Sequence, residues 1–163
     1  MDTSFVGKKT GISKIVIERS PTSNFARAVL DKNDNYFNLD VAKSNGFDSI
    51  PTPPTFGFAW ANFGAFSEIQ PEVGDDVDQS AMGRAMGELT KDGGLMLHGE
   101  QSFEYFNPVV VGDVLVSSTE IVDMYEKESK DRTMRFLVTE TTFVNEATSQ
   151  IALKTRMNLI CRI

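Results

Sequence analysis

The chain has one histidine, His98, and one cysteine, Cys161. An ordinary zinc site of Cys and His ligands is therefore excluded, and so is an internal disulfide. Any nucleophile–base catalysis would have to use His98 as its base. No G-x-S-x-G elbow, Walker loop or dinucleotide fingerprint occurs. No stretch approaches the ~20 apolar residues of a membrane span, and the first residues, MDTSFVGKKTG, hold no apolar signal core. Basic residues are also scarce: 16 Lys and Arg stand against 23 Asp and Glu, a formal net charge of -7. A nucleic-acid backbone or an anionic membrane surface needs clustered Lys and Arg, so neither is an expected partner. The expected compartment is the cytoplasm.

What is present fits one domain over residues 1–163, with 40% hydrophobic and 24% charged residues. The segment around which it is organised is Thr55–Phe66, TFGFAWANFGAF, which follows the breaker run Pro51-Thr52-Pro53-Pro54. Proline suits a helix start, and aromatic residues spread around most of the circumference predict a buried central helix. Gly57 and Gly64 leave room for strands to approach.

Before this segment, Gly11–Arg19 reads as a strand. Ser20-Pro21 then reads as the cap and first position of a helix reaching Leu30, with Phe25, Val29 and Leu30 inward. The Asp- and Asn-rich run 31–40 predicts a loop, and Asp40 the cap of a short helix ending at the left-handed Gly46. Residues 67–94 are polar, acidic and glycine-rich and read as a long insertion, with a short helix near Ala81–Leu89. Four later runs read as strands. In Leu95–Phe106, Leu95, Leu97, Phe103 and Tyr105 fall on one face and His98, Glu100, Ser102 and Glu104 on the other. Val114–Tyr125, which alternates less strictly, Met134–Val144 and Ile151–Cys161 follow, separated by turns at Glu128–Asp131 and Asn145–Thr148. The layout is α+β.

Two clusters of titratable residues stand out. His98 lies on a polar strand face near Glu100 and Glu104, the setting of a surface histidine held by carboxylates. Asp75, Asp76 and Asp78 lack the spacing of a calcium-binding EF-hand and read as a solvated loop.

The order of these elements, with the phrases AKSNGFDSIPTPPTFGF and LHGEQSFEYFNPVVVGDVL, resembles the MaoC-like dehydratase family, in particular its N-terminal, FAS1-like dehydratase branch. The resemblance implies a hotdog fold, a five-stranded antiparallel sheet wrapped around a long central helix, here Thr55–Phe66. It also implies pairing of two sheets edge to edge. Catalytic members carry a D-x-N-P-x-H loop whose Asp and His activate the water that adds to a trans-2-enoyl thioester, or remove water from the (R)-3-hydroxy thioester. Here Asn33 stands in place of the Asp and Asn38 in place of the His, and neither amide exchanges a proton near neutral pH. Asp31 or Asp34 could stand in by a shift of register, and His98 is the remaining weak candidate. Where catalytic members offer a backbone N–H to the thioester oxygen, this chain has Pro53-Pro54-Thr55, leaving Thr55 N–H as the candidate donor.

The resemblance thus implies the degenerate subunit of an (R)-specific enoyl-thioester hydratase or 3-hydroxyacyl-thioester dehydratase, paired as a heterodimer with a catalytic MaoC-like subunit. Pro54, Thr55, Phe56, Phe58 and Trp60 would line or back the acyl tunnel. The substrate would be carried on CoA or acyl carrier protein, with no cofactor. Two alternatives stand beside it: a homodimeric acyl-thioester-binding or assembly module without activity, and a hotdog thioesterase using Asp31, Asp34 or Glu68.

Overall fold

The computed structural model describes residues 1–129 and 132–163. Five antiparallel strands, β1 (Lys9–Val16), β2 (Leu95–Tyr105), β3 (Val114–Ser129), β4 (Arg132–Asn145) and β5 (Ile151–Arg162), form one sheet in the order β1-β3-β4-β5-β2. The turn expected at Glu128–Asp131 includes Lys130 and Asp131, which lie outside the described residues. Among the described residues no helix is long and apolar enough to cross a membrane.

Helix α1 (Arg19–Ala28) begins two residues before the expected start, with Glu18 as its cap residue and no side-chain cap bond. Its buried side is Thr22, Ser23 and Ala26, while Val29 and Leu30 point outward, Leu30 in a left-handed conformation past the helix end. Phe25 packs inward by stacking on Phe56. The bulkier pair, Val29 and Leu30, ends up in the exit turn. Helix α2 (Leu39–Ser44) is capped by Asn38 rather than Asp40, and Gly46 takes the expected left-handed conformation at φ +89°.

The long central helix is broken. Pro54–Phe58 forms a 3-10 turn, Ala59 is a joint, and α3 (Trp60–Gly64) is a single short turn of helix. Phe56 and Trp60 are buried, but Phe58, Phe63 and Phe66 are 56%, 51% and 37% exposed. Aromatics all around a segment mean burial only if protein surrounds it, and here the sheet covers one side. Close packing explains the interruptions. A Cβ on Gly57 would overlap the Leu153 side chain, and one on Gly64 would overlap the Val16 carbonyl oxygen. Each glycine costs about 1 kcal/mol of helix propensity, which favours breaks beside both.

Residues 67–94 form an ordered strap. The Gln70 side chain bonds both the N–H and the carbonyl of Lys14, Asp78 N–H donates to Lys9 O, and Val77 bridges Lys9 in parallel. The strap therefore closes the free edge of β1. It ends in α4 (Ala81–Thr90), as expected, whose Ala81, Ala85 and Leu89 make a fully buried stripe at four-residue spacing. Burying Leu89 alone contributes roughly 1.5–3 kcal/mol.

Two apolar clusters cover the ends of one sheet face. Ile15, Leu115, Phe143 and Leu153 pack with Phe56 and Trp60, while Ile121, Leu137 and Cys161 pack with α4. At the second end Arg135, 7% exposed, donates to Glu126, Asp92 and the Leu89 carbonyl, tying the end of α4 to the sheet.

Strand β2 differs from its expected alternation. A bulge between His98 and Gln101 shifts the register, so that Met96, His98, Gln101, Phe103 and Tyr105 face inward against Cys161, Leu159, Met157, Thr155 and Leu153. Leu95 and Leu97 share the outer face with Ser102 and Glu104. An extra residue in a strand flips every side chain beyond it, which strict alternation cannot anticipate.

Candidate active site

Helix α1 pins the Asn-rich loop. Ser23 Oγ donates to the Tyr36 carbonyl at 2.7 Å, and the Arg19 guanidinium donates to the carbonyls of Tyr36 and Phe37 at 3.2 and 2.5 Å. Within the loop Asp31, Asn33, Asn35 and Asn38 use their side-chain oxygens to hold backbone or a neighbouring amide. Asp31 Oδ1 accepts from Asn33 N–H at 2.9 Å, and Asn33 Oδ1 from Asn35 N–H at 3.1 Å. Asn35 Oδ1 accepts from Asn45 Nδ2 at 2.8 Å. Asn38 Oδ1 accepts from the N–H groups of Asp40 and Val41 at 2.9 and 3.3 Å, the geometry of a helix N-cap. Asp34 sits exposed in the first turn of the short 3-10 helix Asp34–Tyr36.

Beside this loop lies a cavity of about 400 Å³. Asn33, Asn35 and Tyr36 form its loop side, Thr52, Pro54 and Trp60 line it from the central segment, and Tyr105 to Val109 from the exit of β2. Tyr105 Oη donates to the Pro54 carbonyl at 2.9 Å, tying β2 to the start of the 3-10 turn. Among the described residues no Asp, Glu, His, Lys or Arg lines this cavity, and its ionisable side chains are Tyr36 and Tyr105. Burial pushes both phenols up, and the Asp31 carboxylate adds to the effect at Tyr36. Both stay protonated and neutral at physiological pH, so they can donate hydrogen bonds but cannot serve as a base.

The expected site residues separate. Asn33 lines the cavity; Asn38, Asp31 and Asp34 do not. Pro54 and Trp60 line it, and the Trp60 indole N–H is buried with no partner among the described residues. Phe56 belongs to the core and Thr55 is exposed at the start of the 3-10 turn. Phe58 lies across His98, the rings 5.4 Å apart, and lines a second cavity of about 300 Å³ over the middle of the sheet. His98 lines neither cavity and faces an aromatic ring rather than carboxylates. Glu68 lies in the strap, in the 3-10 turn Ser67–Ile69.

Sequence reasoning missed Tyr36, Tyr105 and Asn107 at the first cavity. It also missed the Ser and Thr residues at the second, although their two-residue spacing in β3 and β4 was a visible signal. A wall separates the two cavities: Trp60 meets Phe143 edge-on at 5.2 Å between ring centroids, and Gly57 abuts Leu153.

Residues 4–154 match the model of the family described as FAS1-like, dehydratase domain region. A UPF0336 protein of Streptomyces avermitilis is 33% identical over 122 residues, covering 73% of this chain and 71% of that protein. Among solved structures, the truncated HadBC (3R-hydroxyacyl-ACP dehydratase) complex of Mycobacterium tuberculosis superposes with a TM-score of 0.67. It has 18% identity and covers 98% of this chain and 99% of the other. The ChsH1-ChsH2 complex of the same organism gives a TM-score of 0.71 at 14% identity, over 94% and 83%. At these identities the structural likeness speaks for the fold alone, and that fold is the expected hotdog sheet. With a family match over most of its length, the chain belongs to the FAS1-like dehydratase domain region family.

Proposed function

We propose that this chain is the non-catalytic subunit of an (R)-specific enoyl-thioester hydratase or 3-hydroxyacyl-thioester dehydratase, paired with a MaoC-like subunit that carries the intact Asp and His. One observation carries the reading: a cavity lies beside the loop, yet among the described residues no carboxylate, imidazole or amine lines it. Water addition across a conjugated double bond needs a base to take the proton of water and an acid to deliver one to carbon. Asn33 and Asn38 cannot exchange those protons, and Asn38 Oδ1 is engaged as a helix cap. At the start of the 3-10 turn, Pro53 and Pro54 have no N–H to stabilise charge on the thioester oxygen.

Exposed surface supports a partner. The strap closes β1, while β2, at the other edge, carries exposed Leu95, Leu97 and Tyr105, followed by exposed Phe106. An eleven-residue edge strand with exposed apolar side chains is a template for pairing unless another chain covers it. In this reading the partner adds its sheet at β2 and covers Phe58 and Phe63, while this chain shapes the acyl tunnel.

The test follows the absorbance of a short trans-2-enoyl-CoA with this protein alone, then with a co-expressed subunit bearing the intact loop. Turnover only in the mixture is the expected result. Hydration by the chain alone at enzyme-like rates would overturn the proposal, and so would silence of a mixture shown to form the complex.

A further inference from the structure

Arg135 of β4 and its opposite residue Cys161 of β5 face α4, so the residues either side of them in each strand face the other, outer side of the sheet. On that side Tyr125 of β3, Phe136 of β4, Ile160 of β5 and Leu97 of β2 stand opposite one another in one row. Three strand spacings make this apolar row about 14 Å long. The Tyr125 and Phe136 rings stack with centroids 4.5 Å apart, and the Lys127 ammonium lies over both.

Charges of opposite sign flank the row. Along β4 the outward residues read Arg132, Met134, Phe136, Val138 and Glu140, with the aromatic ring at the centre. Along β3 they read Asp123, Tyr125 and Lys127. Because the two strands are antiparallel, Lys127 and Arg132 fall on one side of the row and Asp123 and Glu140 on the other. On β5, Arg162 joins the cationic side and Asn158 the other. Lys127, Arg132 and Arg162 are exposed and make no ion pair among the described residues, in a chain whose net charge is -7. Glu140 reaches Lys154 with one oxygen, at 3.6 Å.

We propose that this face binds a second copy of the chain, back to back, about a two-fold axis that lies along the row. A half-turn about that axis leaves the row on itself and exchanges its two sides, so the same patch is complementary to itself. Lys127 of each copy then comes over Asp123 of the other, Arg132 over Glu140, Met134 over Val138 and Arg162 over Asn158. Sheets stacked face to face stand about 10 Å apart, a gap that these long side chains span. Aromatic residues, Met and Arg are also the side chains enriched at interfaces. A flat anionic layer such as lipid headgroups fits worse, because Glu120, Asp123 and Glu140 share the face with the cations. Edge pairing at β2 uses backbone groups and leaves this face open, so the association goes beyond the function proposed above and does not depend on it.

Sedimentation equilibrium of the purified chain tests it, and a reversible dimer is expected. Lys127→Glu with Arg132→Glu puts carboxylates on both sides of the row, and Asp123→Lys with Glu140→Lys puts cations on both. Each double variant alone is expected to dimerise at least about tenfold more weakly than the parent. An equimolar mixture of the two is expected to regain the parent's affinity, because each then meets its opposite, and a misfolded chain is not rescued in this way. A parent chain that stays monomeric would overturn the proposal. So would dimerisation unchanged in either double variant, which would place the contact at another surface such as the β2 edge, or a mixture that dimerises no better than its components.

Discussion

Gln70 hydrogen-bonds to Lys14 as a neighbouring strand would. Lys14 N–H donates to Gln70 Oε1 at 3.0 Å, and Gln70 Nε2 donates to the Lys14 carbonyl at 2.9 Å. One side chain thus pairs a donor and an acceptor of the free edge of β1. Gln70→Ala removes both bonds at once. Chemical denaturation is expected to show a loss of about 1–2 kcal/mol, and sedimentation a new tendency to self-associate through the uncovered edge.

Asn38 caps helix α2 at the position where the family resemblance would put a catalytic histidine. Its oxygen serves the N–H groups of Asp40 and Val41, so Asn38→Ala is expected to cost about 1 kcal/mol of stability. The double variant Asn33→Asp, Asn38→His restores the family's residue types. On its own it is expected to stay inactive toward trans-2-enoyl-CoA, because position 38 does not line the cavity and Pro53-Pro54 still offer no N–H. Hydration by this variant alone would show that the loop needs only its side chains.

Phe58 and Phe63 contribute little to the isolated fold for their size, each being more than half exposed. Phe58→Ser and Phe63→Ser are expected to change stability by less than about 1 kcal/mol. They are expected to weaken association with the partner at least tenfold in a pull-down or light-scattering titration, as large aromatics at an interface centre do. Unchanged association would place the interface elsewhere.

The hydrogen bond from Arg135 holds the Asp92 carboxyl below the usual carboxylate range, with the Arg135 charge adding to it. A carboxylate whose folded value is depressed stabilises the fold at pH above its unfolded value, about 4, and loses that contribution as pH falls through the folded value. Asp92→Asn is therefore expected to lower the urea midpoint at neutral pH, and the gap between variant and parent is expected to close as pH falls through the depressed folded value. Salt should narrow it too, since Asp92 is largely solvent-facing.

The sheet was largely legible in the chain because it depends on local pattern. Alternation in the last third of the sequence and the breakers between the runs mark β2, β4 and β5 whatever surrounds them. Two local features were legible as well: Gly46 adopts the conformation its residue type favours, and the helix expected near Ala81 formed, whereas both helix caps fell on other residues than expected, Glu18 and Asn38. Family membership was carried by the order of these elements; the reading of Asn33 and Asn38 as replacements for an Asp and a His rests on residue types alone.

The tertiary structure decided what depends on distance between elements. Whether the aromatics of 55–66 are buried turns on how much protein surrounds them, and a sheet on one side leaves Phe58, Phe63 and Phe66 outward. The bulge in β2 turned His98 inward because one extra residue reverses the pleat. The strap from Ser67 onward looked like loose polar chain until its amides met the edge of β1, since an unpaired strand edge is supplied by topology and not by the strap's own composition. The apolar row on the outer face likewise exists only because registers between β3, β4, β5 and β2 bring residues far apart in sequence side by side. Composition and period fix what each segment can form; register and packing fix which side chains share a space, and the chemistry follows from that.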